Sequence, residues 1–386
     1  MKLLYISPSP PNNLERVRSL NILKSLQNKN IDITLVTLYN KEQEKYIEES
    51  KKYVNRIIKI KYSKIISIIY AIVSMFLPVP IRVGYCFNFR LRKFLKINKE
   101  KYDIAYIKRL RMAQYKKFIN ATKIYIDITD SLTKYYERIS KREKRLKKFL
   151  CLEEYYKHKK YEVKICEENK NIIICSEDDK RYIENLSSRT IGNISVIENV
   201  IELDKWNVNN IRIKPIKERN KLVFFGIMDY EPNILAADFI INKIMPQLDK
   251  KYVLEIVGPK VPPNLKKLEN ERIKFSGYVK SIKNKLAEND IFLCPILAGS
   301  GTKNKILQAG TVGLPIICTD IGLEGLNNQM KEVVYVANTE KEFIEKIEEI
   351  NNTEKVYLED ILKKQKEIIK KYNSLEVIEK KIIKIR

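Results

Sequence analysis

The chain has 386 residues, 44% of them hydrophobic, and 74 Lys and Arg against 48 Asp and Glu give it a formal net charge of +26. The length suits two domains rather than one core, and the hydrophobic fraction excludes a disordered protein. Six scattered cysteines with no C-x-x-C pair exclude a disulfide framework and a cysteine zinc site, which points to free thiols in a reducing compartment, and a single histidine excludes a metal centre built from imidazoles.

The N-terminal MKLLYISPSPP has neither the apolar length nor the cleavage pattern of a signal peptide. KLLYIS reads as a buried strand, followed by a helix from about residue 14 to 27. IDITLVTL, RIIKIKY, YDIAYI and KIYIDI read as the next four strands. Between them, 65-IISIIYAIVSMFLPV-79 is too apolar for a loop and too short to cross a bilayer, which takes about 20 residues, so it reads as a buried or interfacial helix. A charged helical stretch spans about 133–169, and His158 within its YYKHKKYE run reads as a solvated helix residue. NIIICS is a sixth strand, after which the pattern loosens over about 186–220. A second alternating series then runs through KLVFFG, a helix at PNILAADFIINKIMPQL, YVLEIVG, IKFSGYV, DIFLCPI, a glycine loop with its helix, LPIICT and VVYVA, and charged amphipathic helices close the chain. Strands separated by helices imply parallel βαβ units, so each half is a doubly wound α/β domain. The divisions expected are an N-terminal domain over 1–190, a linker over 191–220 and a C-terminal domain over 221–365, with a last helix over 366–386 packing back on the first domain.

The positive charge is uneven. Residues 51–150 hold 27 Lys and Arg against 6 Asp and Glu, a net +21, whereas residues 201–386 hold 32 against 26. Anionic lipid headgroups, a phosphorylated substrate, nucleic acid or a merely solvated face would each account for such a segment. No nucleic-acid-binding module is recognisable, which favours the membrane or a lipid phosphate.

The run LVFFGIMDYEPNILAADFIINKIMPQL, then LEIVGP, FSGYV and DIFLCPILAGSGTKNKILQAGTVGLPIICTDIGLEGL, resembles in order and spacing the nucleotide-sugar-binding half of GT-B glycosyltransferases of family 4, the "glycosyl transferases group 1" type. YIKRLRMAQY, IYIDITDS and IICSEDDKRYI resemble, more weakly, the acceptor half of a bacterial cell-surface-polysaccharide branch. The resemblance implies two Rossmann-like domains facing a cleft, with the donor held by the C-terminal one. Where relatives often have an Asn-Gly-Val-Asp turn, this chain keeps Asn199 and has Val200 in place of glycine.

In that frame 299-GSGTKNKILQAG-310 is the expected diphosphate cradle. A glycine turn before a helix exposes backbone N–H groups, and the helix dipole adds positive potential. Gly299 and Gly301 let the backbone approach, Ser300 and Thr302 supply hydroxyls, and Lys303 or Lys305 offsets charge on the leaving nucleoside diphosphate. Gly226 is placed near the sugar nucleotide, Gly277, Tyr278 and Val279 near the base, and Glu324 is either a donor-site acid or a helix N-terminal charge. Many relatives carry two glutamates eight positions apart across this loop; here those positions are Ser300 and Gln308. A glutamine offers one acceptor and one donor where a carboxylate accepts twice, worth about 1–3 kcal/mol of ribose binding if a charged hydrogen bond is lost. In the N-terminal half, Asp127 or Asp130 either orients and deprotonates the acceptor hydroxyl or caps the next helix. Asn12, Asn13, Arg16 and Arg18 follow the first strand and are the candidates for meeting an acceptor phosphate.

The function implied is a retaining, metal-independent glycosyltransferase with a UDP- or GDP-sugar donor, no cofactor, and a glycan or lipid-linked acceptor. It is expected in the cytoplasm, peripheral to an anionic membrane surface at the inner face of the plasma membrane, with no nucleic acid as partner. Gln308 keeps open an inactive nucleotide-sugar-binding subunit, and the +21 segment keeps open a basic nucleic-acid-binding protein.

Overall fold

The computed structural model describes residues 1–12, 16–27, 31–189, 191–208, 213–298 and 301–383. It divides into two units, Met1–Glu198 with Ile378–Arg386, and Asn199–Val377. The first is built on β1 (Lys2–Ser7), β2 (Asp32–Tyr39), β3 (Arg56–Lys61), β4 (Tyr102–Lys108), β5 (Ala121–Thr129), β6 (Asn171–Ile174) and β7 (Asn193–Val196). They lie in the order β3-β2-β1-β4-β5-β6-β7, and every pairing is parallel. The second unit carries β8 (Lys221–Phe225), β9 (Val253–Val257), β10 (Ile273–Gly277), β11 (Ile291–Cys294), β12 (Ile316–Cys318) and β13 (Tyr335–Val336). Their order is β10-β9-β8-β11-β12-β13, again all parallel. Strands such as LLYI, LVFF and IFLC are apolar without alternation because helices cover both faces of a parallel sheet.

In each sheet the first strand is central and the chain builds outward on both sides of it. The direction of winding reverses between β1 and β4, and between β8 and β11, and such switch points leave a crevice at the carboxyl ends of the strands.

The long charged helix is two helices, Leu132–Arg142 and Arg145–Glu167, parted by extended backbone at Glu143 and Lys144. β7 arises in the stretch read above as irregular; four residues, NISV, are too few for a period to show. His158 is not solvated. It is 0% exposed, its ring stacks on Tyr136 at 4.8 Å, and Nδ1 lies 2.9 Å from the Glu154 carbonyl oxygen. Burial pulls its pKa down to about 4, so the ring is neutral. Glu154, His158 and Glu162, four residues apart, form a polar stripe turned inward. Glu162 accepts hydrogen bonds from Ser131 Oγ, Thr133 Oγ1 and the Leu132 N–H, pinning the start of the preceding helix. Burial still pushes the Glu162 carboxyl up to about 7.

The helix Lys64–Met75 is turned the other way. Its buried residues are Ser67 and Ser74, and its isoleucines face solvent. Ser74 packs onto Gly84, where an added Cβ would fall 1.8 Å from Ser74 Oγ.

Candidate functional site

The carboxyl ends of β8, β9 and β10 each end in glycine, and the three backbones lie against one another. Gly226 N–H donates to the Val257 carbonyl at 2.9 Å, and Gly258 N–H donates to the Gly277 carbonyl at 2.8 Å. Gly258 has φ +147°, and a Cβ there would stand 1.9 Å from the Gly226 carbonyl oxygen, so only glycine permits this approach. Gly277, at φ +60°, borders open space. Tyr278 beyond it is exposed, and Val279 packs partly against the core. The result is a close-packed set of glycine strand ends beside the switch point, open to space at Gly277. Gly258, which sequence reasoning left out, was signalled by the recurrence FFG, IVG, FSG at three successive strand ends.

Across the switch point, β11 leads into the cradle loop. Gly299 and Ser300 lie outside the described residues. Gly301 takes the left-handed φ of 69°. Thr302 is buried; its hydroxyl donates to the Gly325 carbonyl at 3.1 Å, and its carbonyl accepts from Asn199 Nδ2 at 3.4 Å. Thr302 therefore pins the loop rather than offering its proton outward. The helix Asn304–Val312 starts at Lys303 without a side-chain cap, whereas the helices after Ser281 and Thr339 are capped by those side chains. The Ile306 N–H turns back to the Lys303 carbonyl at 3.0 Å, and no side chain caps the N–H groups before it, an arrangement that suits an anion. The rest of the helix is clamped: Gly310 sits so near Ile369 that a Cβ would come within 2.5 Å of it, and Gln365 Nε2 donates to the Leu314 carbonyl.

Two lysines serve this helix start. Lys303 Nζ donates to the Gly301 carbonyl at 2.5 Å. Lys305 Nζ donates to Asn233 Oδ1 at 2.6 Å and stands 4.5 Å from the centre of the Phe224 ring. Burial pulls the Lys305 ammonium down to about 8 from its ordinary 10.5. Asn233, also missed from sequence, donates Nδ2 to the Ile227 carbonyl and fills the space that a Gly226 side chain would take. Gln308 lies one turn beyond Lys305, half-buried, and none of the described residues hydrogen-bonds its amide. Glu324 follows the short helix Asp320–Leu323 at its C-terminal end, so it is not a helix N-terminal charge.

In the first unit the strand ends are held by a buried charge cluster. Asp127 is 0% exposed and accepts from Lys108 Nζ at 2.6 Å, Tyr106 Oη at 2.6 Å, Thr129 Oγ1 at 2.9 Å and Arg18 at 3.4 Å. Burial alone would raise the Asp127 pKa, but Arg18 and Lys108 overcome it and hold the carboxyl well below the usual range. Arg18 also donates to the Ile197 and Glu198 carbonyls, tying the first helix to the end of β7. Asn12 is buried and donates to the Pro10 carbonyl, and Asn13 lies outside the described residues. Asp127, Arg18 and Asn12 are thus each engaged in hydrogen bonds within the first unit. Asp130 is partly exposed and pairs with Arg109 at 2.8 Å. Arg109 (φ 77°) and Thr129 (φ 73°) take left-handed backbone at adjacent strand ends, a strain that persists only where the surroundings impose it. Arg16 Nε donates to Ser9 Oγ at 2.8 Å beside the β1/β4 switch point.

Two doubly wound units with a phosphate-ready helix start at one switch point define a GT-B glycosyltransferase fold. Three solved structures share it over 100% of this chain. Sucrose-phosphate synthase from Thermosynechococcus elongatus superposes with a TM-score of 0.70 at 12% identity over 98% of its chain. HepE (Alr3699) from Anabaena, solved in complex with UDP and glucose, gives 0.67 at 11% over 99%. WaaG, a glycosyltransferase involved in lipopolysaccharide biosynthesis, gives 0.64 at 12% over 99%. Residues 219–352 match the glycosyl transferases group 1 family. An uncharacterised 41.2 kDa protein from the cps region of Klebsiella pneumoniae is 27% identical over 139 residues, which span 33% of this chain and 37% of that relative.

UDP binding should depend on the charge of Lys305. Contact with a diphosphate raises the lysine's lowered pKa, so affinity measured by calorimetry is expected to be greatest below pH 8 and to fall as pH rises through it. Lys305→Met should weaken UDP by about 10–100-fold, the worth of a charge-assisted hydrogen bond, and flatten the pH profile. A wild-type profile already flat across pH 8 would separate Lys305 from the phosphate. In the first unit, Asp127→Asn leaves two buried cations facing a neutral amide and should cost about 3–5 kcal/mol in urea unfolding. Asp130→Asn should cost less than about 1 kcal/mol. An Asp127→Asn protein of full stability that had lost activity would return Asp127 to a catalytic role.

Proposed function

We propose that the protein is a retaining glycosyltransferase that moves a sugar from a UDP- or GDP-linked donor to a glycan or lipid-linked acceptor in cell-surface polysaccharide synthesis. The observation that carries this reading is the uncapped start of Asn304–Val312, with Lys303 and Lys305 beside it, at the β8/β11 switch point. Backbone N–H groups and two ammonium groups fixed before the reaction stabilise the negative charge that develops on a departing nucleoside diphosphate, with no metal or cofactor assigned. The open space at Gly277 leaves room for the base of the nucleotide, and Gln308 and Glu324 are the further polar groups assigned to the donor. The UDP complex of HepE and the cps-region relative support the donor class and the pathway type. The second unit binds the donor and the first the acceptor, with Asp130 the carboxylate left in reach of a hydroxyl. The protein works in the cytoplasm at the inner face of a membrane.

Gln308 favours a second reading, a nucleotide-sugar-binding subunit without turnover, because it stands where relatives carry a carboxylate and none of the described residues holds its amide. Incubating the pure protein with UDP- and GDP-sugars and following nucleoside diphosphate release distinguishes the two. The transferase reading predicts slow hydrolysis of one donor, and Gln308→Glu should tighten that donor by about tenfold. Tight binding with no release, with or without membrane extract as acceptor source, would select the second reading.

A further inference from the structure

We propose that the first unit carries the binding site of a phosphate-bearing lipid: a polar cavity at the β1/β4 switch point takes the phosphate, an adjoining apolar cavity takes the start of the chain, and the bare face of helix Lys64–Met75 rests on the bilayer that supplies it. The inference rests on the transferase reading and narrows its acceptor to a lipid.

Helix Lys64–Met75 is amphipathic in reverse. Ile65, Ile68, Ile69 and Ile72 recur on one face, continued by Phe76, and all five are more than half exposed, Phe76 at 84%. The opposite face presents Ser67 and Ser74 to the protein. Ser74 meets Gly84, and Lys157 Nζ donates to the Ser74 and Met75 carbonyls, so the helix is anchored through small and polar contacts. A soluble protein does not expose so wide a run of branched apolar side chains without a partner for it. The surroundings identify that partner by charge. Residues 51–99 hold twelve Lys and Arg and no Asp or Glu. An apolar face set among basic residues is the form of a helix lying in the interface of an anionic bilayer.

Two cavities open beside this helix. The larger, about 570 Å³, is walled by Tyr62, Ile66, Tyr70, Phe87 and Phe89, with Lys61 and Arg90 among its remaining residues. The smaller, about 240 Å³, adjoins it and shares Tyr62, Ser67, Phe87 and Asn88. It reaches Pro8 and Ser9 after β1 and is lined by Arg16 and Arg111. Four basic residues and no acidic one line the pair among the described residues. Arg111 is the telling group: its Nε is buried without a hydrogen-bond partner, and no described carboxylate pairs with its guanidinium. Arg111 is half-buried, and a guanidinium that lines a cavity with no carboxylate among the described residues beside it is matched by a phosphate, which it binds through paired N–H groups. The order is therefore bilayer face, aromatic cavity, cationic cavity, switch point, which is the order of parts in a lipid entering head-first.

Calorimetry with farnesyl phosphate, farnesol and inorganic phosphate, each on UDP-saturated full-length protein, tests the site. Farnesyl phosphate should bind at least about tenfold more tightly than either of the others, since it alone fills both cavities. Arg111→Gln should weaken farnesyl phosphate by about tenfold or more and leave UDP affinity unchanged. In parallel, sedimentation with vesicles of phosphatidylcholine containing 30% phosphatidylglycerol should pull down the wild type, and an Ile65→Ser, Ile69→Ser, Ile72→Ser variant should stay in solution with UDP affinity intact. Equal binding of inorganic phosphate would show a free-phosphate site and overturn the lipid assignment. So would no binding of farnesyl phosphate by protein that still binds UDP, or a wild type that ignores vesicles and is a dimer through the isoleucine face. Loss of UDP binding by the wild type itself would overturn the transferase reading instead.

Discussion

Each half of the molecule depends on one topological constraint: the chain starts a parallel sheet at its centre and must add strands on both sides. Right-handed crossovers place the helices of the two directions on opposite faces, so the loops after the first and fourth strands part from one another. The gap they leave needs no special residues to exist. What the sequence places there decides its use, and the two units use it differently. The second unit lines its gap with bare glycine backbone, an uncapped helix and lysines. The first lines its gap with arginine and tyrosine and backs it with a buried carboxylate.

The electrostatics follow from that placement. Asp127 sits at the foot of the first crevice with Arg18 and Lys108 directed at it, so its carboxylate is engaged within the protein. Among the described residues Lys305 has the neutral amide of Asn233 and the face of Phe224 but no carboxylate, and burial there lowers its pKa. Among these cations, what separates Arg18 and Lys108 from Lys305 is thus the presence of an internal counter-ion. Arg111 belongs with Lys305 by the same criterion, and Arg18 does not.

Much of this was legible in the sequence. Strands such as LLYI and IFLC are continuous apolar runs bounded by turn residues, and the order of strand, glycine and helix in 291–312 marks the cradle before any coordinates. What escaped was information carried by direction. His158 and Glu162 sit in a charged run that reads as solvated, but their four-residue spacing with Glu154 turns them onto one buried face. Ser67 and Ser74 carry the inward face of a helix whose isoleucines point out, a reversal that composition cannot reveal because the same residues would make an ordinary buried helix. Asp127 and Asp130, three residues apart, are alike in sequence; only the strand pairing of β4 and β5 puts one under Lys108 and the other beside Arg109.

Everything proposed for the second unit turns on whether the helix starting at Asn304 receives a nucleoside diphosphate. A crystal structure of the protein with UDP tests it most directly. The account predicts phosphate oxygens within hydrogen-bond distance of backbone N–H groups between Gly301 and Lys305 and of the Lys305 ammonium, with the uracil ring beside Gly277. UDP seated away from this helix, with Lys305 still bonded to Asn233 alone, would contradict it.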